Sequence, residues 1–265
     1  MKRLVKKPQP GKSGRLTGLV VFFSLIGLWE LVSRLGLVSR LYFPPATDII
    51  LVWLRLTADG VLPLALIQTF SRMALGYFAA AALMIPAGIL LGVSPRLRAL
   101  MSPGVEFLRP LPPPAIIPAA MLFLGIGAAM KIFVIFFACA FPILINSMDG
   151  ALGVPRLFAD TGRTLGAGKT RLFRQVILPA ALPGVMSGLR VALPISLIVA
   201  VLAEMVGSVD GIGHFIVQMQ RVFSIPQMYA GVATLGLAGW FFNALFMKAD
   251  RKLLAWHCGW KKGGS

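Results

Sequence analysis

MALGYFAAAALMIPAGILLGVSP, residues 73–95, runs for 23 positions without a Lys, Arg, Asp or Glu. A helix that crosses the hydrocarbon of a bilayer needs about 20 mostly apolar residues. It survives there because it satisfies its own backbone N–H and C=O groups. This stretch meets both conditions and predicts a membrane span.

Five further apolar stretches lie either side of it. They are Leu16–Val32, Pro110–Met130, Ile132–Met148, Pro183–Val206 and Val222–Met247, with Glu30, Arg190 and Glu204 as the charges inside them. The reading is therefore an all-α polytopic membrane protein with six transmembrane helices. Ile49–Leu56 and Val61–Phe70 are apolar but short, and Arg55, Asp59 and Pro63 interrupt them. They read as an interfacial segment rather than a seventh span. The whole chain agrees: of 265 residues 57% are hydrophobic and 13% charged, with mean hydropathy +0.83. Soluble domains carry about a quarter charged residues. A disordered chain is excluded and a soluble enzyme disfavoured.

The net charge of +17 has two readings, nucleic acid or the inner face of a membrane. Placement decides between them. With six spans both termini share one side, and 19 of the 26 basic residues then fall there, from Lys2 to Lys262. Only Arg34, Arg40, Arg55, Arg72, Lys131 and Arg221 fall on the other side, with Arg109 at a span start. Cytoplasmic loops are the basic ones, so both termini are expected in the cytoplasm, and nucleic acid is not an expected partner. The division is a basic tail at 1–15, one transmembrane domain at 16–247 with a polar loop at 149–182, and a second basic tail at 248–265. The first apolar run is longer than a usual signal-peptide core, and no A-x-A-like site follows it, so it reads as a retained span.

Catalytic and metal chemistry is not expected. Cys139 and Cys258 form no ligand spacing, and His214 and His257 have no acidic or cysteine cluster beside them. Inside the membrane, Pro110, Pro112, Pro113, Pro114 and Pro118 crowd the start of the third span. They predict no regular helix before about Pro118, either as a kinked entry or as a broken segment lining a pathway. Gly88-x-x-x-Gly92, Gly184-x-x-x-Gly188 and Gly207-x-x-x-Gly211 place small residues one helical turn apart, as close helix packing needs. Glu30 has Arg34 one turn on. Glu204 has no such neighbour and is either functional or part of a packing network.

The loop from Asp149 to about Leu182 is the longest internal polar stretch. Its core, FADTGRTLGAGKTRLFRQVILPAALP from Phe158, predicts two short amphipathic helices, at about 155–165 and 169–177, with Gly166 as the stop between them and Pro179 after the second. Gly166–Thr170 (GAGKT) is not a phosphate-binding loop. The first glycine of that pattern would stand at 163, where the residue is Arg163.

This loop resembles the EAA signature of the membrane subunits of ABC importers. Asp160-Thr161-Gly162 stands where Glu-Ala-Ala would, Gly166 matches the glycine, and Val176-Ile177-Leu178-Pro179 closes the motif, with Pro183 beyond. Leu108–Pro113, Phe123–Gly127, Lys131–Phe133, Phe141–Asn146, Ala203-Glu204 and Gly211-Ile212-Gly213 are similar to the branch that imports nitrate, taurine and aliphatic sulfonates. The resemblance covers about 66–254. It implies a homodimeric permease in a bacterial inner membrane, binding no cofactor itself. Cytoplasmic ATP-binding subunits would use ATP, and an extracytoplasmic solute-binding protein would deliver a small anionic cargo of the sulfonate, taurine or nitrate kind. It implies that the loop's first helix is a coupling helix docking on the ATPase, with Asp160 and Arg163 as polar anchors and Gly166 as the turn. Leu178 and Pro179 would return the chain to the fifth span. Arg109, Glu204, Gly211 and Gly213 are the candidate pathway residues. Thr161 and Gly162 depart from the family's alanines, and Gly at 162 is expected to weaken the helix by about 1 kcal/mol. A stand-alone secondary transporter or channel is the alternative function, and a vitamin precursor the alternative cargo.

Overall fold

The computed structural model describes residues 12–253, so most of the two basic tails lies outside the described residues. Those residues are helical with no strand among them. In chain order the elements are α1 (Lys12–Arg34), α2 (Ala46–Ala58), α3 (Val61–Val93), α4 (Pro95–Leu108), α5 (Pro113–Leu124) and α6 (Ala128–Leu152). After them come α7 (Arg156–Thr164), α8 (Lys169–Leu172), α9 (Leu178–Val206), α10 (Ile212–Arg221) and α11 (Ile225–Leu253).

Helix α3, the helix formed by α8 and α9 together, α6 and α11 are each long and apolar enough to cross a membrane. They account for predicted spans two, five, four and six. The first predicted span lies on α1. The core is the packing of α3, α6 and α9, where Ala80, Met130, Val134, Ile135, Cys139, Ala192 and Ala203 are buried. Small residues permit this approach. A Cβ on Gly88 would come 2.5 Å from the carbonyl oxygen of Leu144, and one on Gly184 would come 2.5 Å from Cα of Gly150. The first two small-residue pairs are thus packing faces against α6. The third pair is not on one helix, because Gly207 ends α9 and Gly211 opens α10. Outward faces carry exposed Phe78, Leu83, Ile198 and Phe241, as suits a lipid solvent.

The structure differs from the sequence reading in four places. Val61–Phe70 is not interfacial but forms the first turns of α3. That helix has 33 residues, about 50 Å at 1.5 Å per residue, longer than the hydrocarbon alone requires. Pro63 sits in its first turn, where a missing N–H leaves nothing unpaired. The predicted third span, Pro110–Met130, is not one helix: it holds the 12-residue α5 and the first residues of α6, and α5 meets α4 at 94° across residues 109–112. Helix α5 begins at Pro113 rather than Pro118: Pro113 and Pro114 stand in its first turn, where prolines are tolerated, and Pro118 lies inside the helix. The second loop helix does not stop before Pro179. It runs through a π-turn, Phe173–Ile177, directly into α9. The ring of Pro179 would clash with the carbonyl of Gln175 four residues back. That carbonyl lies in the widened turn, where Leu178 N–H bonds to the Phe173 carbonyl five residues back. Lastly, α4 and α10 are helices where the sequence reading has only loops.

Candidate functional site

Two groups of residues gather at opposite ends of the α3–α6–α9 core. At one end, α7 and α8 form a hairpin. Gly166 closes α7 at φ +74°, a left-handed conformation that favours glycine. Ala167 N–H reaches back to the Gly162 carbonyl at 2.9 Å, and Leu165 N–H to that of Thr161 at 3.0 Å. These bonds satisfy carbonyls that a helix end leaves open. Gly162 has a second role that its weak helix propensity hides. A Cβ there would lie 2.7 Å from Cδ1 of Leu172, so glycine lets α7 rest on α8. Thr161 donates to the Leu157 carbonyl at 2.8 Å.

Asp160 and Thr161 are exposed. So are two large apolar side chains, Leu157 at 70% and Leu165 at 79%. The side chain of Arg163 lies outside the described residues, although its backbone is within α7. Leu178, Pro179 and Pro183 lie at the start of α9. The hairpin grows from the point where α6 and α9 touch through Gly150 and Gly184.

At the other end Glu204, Gly211 and Gly213 come together. Glu204 is 1% exposed on α9. Its Oε1 accepts from Arg72 Nη1 of α3 at 3.1 Å. Its Oε2 accepts from Thr69 at 2.8 Å and from Gly213 N–H at 3.0 Å. Ile212 N–H donates to Thr69 Oγ1 at 2.9 Å, and Gly211 N–H to Gln68 Oε1 at 3.0 Å. The carboxylate thus sits at the N-terminus of α10, where free N–H groups and the helix dipole favour negative charge. Gly211 has φ +94° and ψ 168°, and a Cβ there would collide with the Glu204 carboxyl.

The remaining charges complete the knot. Arg72 also pairs with Asp210, and Lys131 of α6 reaches Asp210 Oδ1 at 3.2 Å and bonds Ser208. Burial alone would raise the Asp210 carboxyl. The bonds from Arg72, Lys131 and Ser208 outweigh it and hold the group at about 2. Two cations and two carboxylates therefore tie α3, α6, α9 and the α9–α10 turn together. Sequence reasoning found Glu204 but missed Arg72, Lys131, Asp210 and Thr69. The available signal was topological, since Arg72 and Lys131 fall on the same predicted face as the end of the span that bears Glu204.

Arg109 does not join this knot. It caps the C-terminus of α4, where it is exposed, and lines a cavity with Arg98 and Glu106. Among the described residues there is no group of three or more His, Cys, Asp or Glu that would hold a metal ion.

Comparison with known proteins places this architecture. Residues 84–253 match the model of the family described as binding-protein-dependent transport system inner membrane component. A probable ABC transporter permease of Brucella melitensis is 33% identical, over 92% of this chain and 100% of that protein. A putative aliphatic sulfonates transport permease of Bacillus subtilis is 32% identical over 95% and 91%. The taurine transport system permease of Escherichia coli is 29% identical over 88% and 86%. Among solved structures, the MetNI methionine ABC transporter in an inward-facing conformation matches with TM-score 0.63 at 21% identity, covering 70% of this chain and 93% of that one. That last likeness is one of fold.

Proposed function

The chain belongs to the family of binding-protein-dependent transport system inner membrane components, and on that premise we propose that two copies of it form the pathway importing a small anion of the sulfonate or taurine type. The relatives named for aliphatic sulfonates and taurine support that cargo class. The chain makes and breaks no covalent bonds. Cytoplasmic ATP-binding subunits hydrolyse ATP, and an extracytoplasmic solute-binding protein presents the cargo. The membrane is the bacterial inner membrane. Both termini and α7 face the cytoplasm, as the basic residues of the tails and of 149–182 favour.

The observation that carries the coupling role is the α7 knob. Its exposed Leu157 and Leu165 stand beside Asp160 on a helix closed by Gly166. Apolar side chains this exposed, ringed by polar ones, are a surface made to be covered by a partner. The knob rests on α8 through Gly162 and Leu172, α8 is continuous with α9 through the π-turn, and the far end of α9 is bonded to α3 and α10 through Glu204. A push on α7 is thus delivered to the whole helix as a rigid-body shift.

Co-expression with a cognate ATPase subunit tests this. The two should co-purify, and proteoliposomes should take up taurine or methanesulfonate only with ATP and the binding protein. Asp160→Lys and Leu165→Asp should each weaken the complex and uncouple uptake. Uptake by the permease alone, or coupled uptake indifferent to both changes, would overturn the reading.

A further inference from the structure

Neither the knot nor the hairpin uses a cavity of about 140 Å³ bounded by α4, α3 and α6. Arg98, Ser102, Glu106 and Arg109 line it from α4. Their spacing is that of one helical face. Apolar side chains, among them Leu91 and Leu144, form the opposite wall. Ser102 turns its hydroxyl hydrogen to the Arg98 carbonyl at 2.7 Å, which leaves the guanidinium groups as the donors facing the space.

Arg98 Nη1 is buried with no hydrogen-bond partner. Among the described residues no ion pair is made by Arg98, Arg109 or Glu106. A buried unpaired N–H of a charged group is costly. Here Glu106 lies on the same helix and still does not supply the missing acceptor. Two guanidinium groups against one carboxylate leave the cavity positive. The planar fork of a guanidinium matches the paired oxygens of an oxoanion, and an apolar wall strengthens such bonds. The volume is also suitable, since a cavity of roughly 150 Å³ admits a molecule the size of benzene.

We propose that this cavity binds a small oxoanion, a sulfonate or bicarbonate group, held by Arg98 and Arg109. As a station for cargo on its way towards the α7 end, the site rests on the importer reading. As an anion site it stands without it.

The test is thermal unfolding of the full-length purified chain in detergent, at constant ionic strength, with methanesulfonate, bicarbonate or chloride added. Either oxoanion should raise the midpoint in a saturable way, and chloride should not. A methanesulfonate response marks a sulfonate site, and a response to bicarbonate alone marks a carbonate site. Arg98→Gln and Arg109→Gln should each weaken the apparent affinity by about tenfold or more, the loss expected for one charge-assisted bond. Arg96→Gln, on the same helix but outside the cavity lining, should leave it unchanged. No oxoanion response, an equal response to chloride, or a response unaltered in Arg98→Gln and Arg109→Gln would overturn the proposal. Failure to bind an ATPase would sink the importer reading and leave this binding signal in place.

Discussion

Replacing Gly211 by alanine strikes the knot at its tightest point. With φ +94° and ψ 168°, this residue occupies a region that is essentially reserved for glycine. Holding a side chain there costs about 1–3 kcal/mol. The added methyl also falls onto the Glu204 carboxyl. That carboxyl has little room to yield, being held by Thr69 at 2.8 Å, Gly213 N–H at 3.0 Å and Arg72 at 3.1 Å. Displacing it breaks a buried ion pair, a change that costs about 3–5 kcal/mol. The chain will take the cheaper mixture of backbone shift and broken pair, so Gly211→Ala should destabilise by about 3–6 kcal/mol. The assay is unfolding in mixed detergent and SDS micelles, followed by circular dichroism. Gly236→Ala is the control, because that glycine is helical with open space around its Cα, and the change should stabilise or be neutral. In a Glu204→Ala background the collision is gone, and Gly211→Ala should then cost only the backbone share, about 1–3 kcal/mol. A loss below about 0.5 kcal/mol, within the noise of a surface substitution, would refute the reasoning. So would a double mutant whose losses simply add.

Other perturbations probe the same physics. Arg72→Met leaves Glu204 buried without its cation and should cost about 3–5 kcal/mol, read in the same unfolding titration; a loss of less than about 1 kcal/mol would place the pair in solvent. The Asp210 carboxyl, ordinarily near 3.8, is held at about 2 in the fold. Its contribution is therefore fully present above pH 4 and is lost as pH falls towards 2, with no change between pH 5 and 8. Thermal midpoints across pH should show this, and Asp210→Asn should flatten the acid limb. Gly166→Val puts a β-branched residue at φ +74° and should cost about 1–2 kcal/mol locally. Coupled uptake should fall further than the global unfolding midpoint if α7 is the docking element. Gly184→Leu drives a side chain into the Gly150 backbone and should abolish accumulation of folded protein in the membrane, whereas Gly104→Leu, in open space, should not.

The apolar stretches and the loop signature were readable because they depend on local composition. Gly166 stops α7 through its own left-handed backbone, and the C-terminal boundary of α7 follows from it. The course of the chain beyond Leu172 was not readable. Pro179 looks like a terminator, and whether a helix passes a proline depends on the width of the preceding turn. The bend at 109–112 was half visible, since its prolines announce a break but not a 94° angle. Glu204 looked solitary because its partner Arg72 lies 132 positions away.

By itself the sequence determined an all-α membrane chain, the excess of basic residues outside its apolar stretches and the short-helix hairpin closed by Gly166. These rest on hydropathy, charge and turn propensity, which act over a few residues and add along the chain. Only the tertiary structure decided that Glu204, Gly211 and Gly213 belong with Arg72, Lys131 and Asp210, and that Arg109 belongs with Arg98 instead. A buried charge must find its counter-charge wherever packing brings one, and that pairing is set by the crossing of α3, α6 and α9 rather than by distance along the chain.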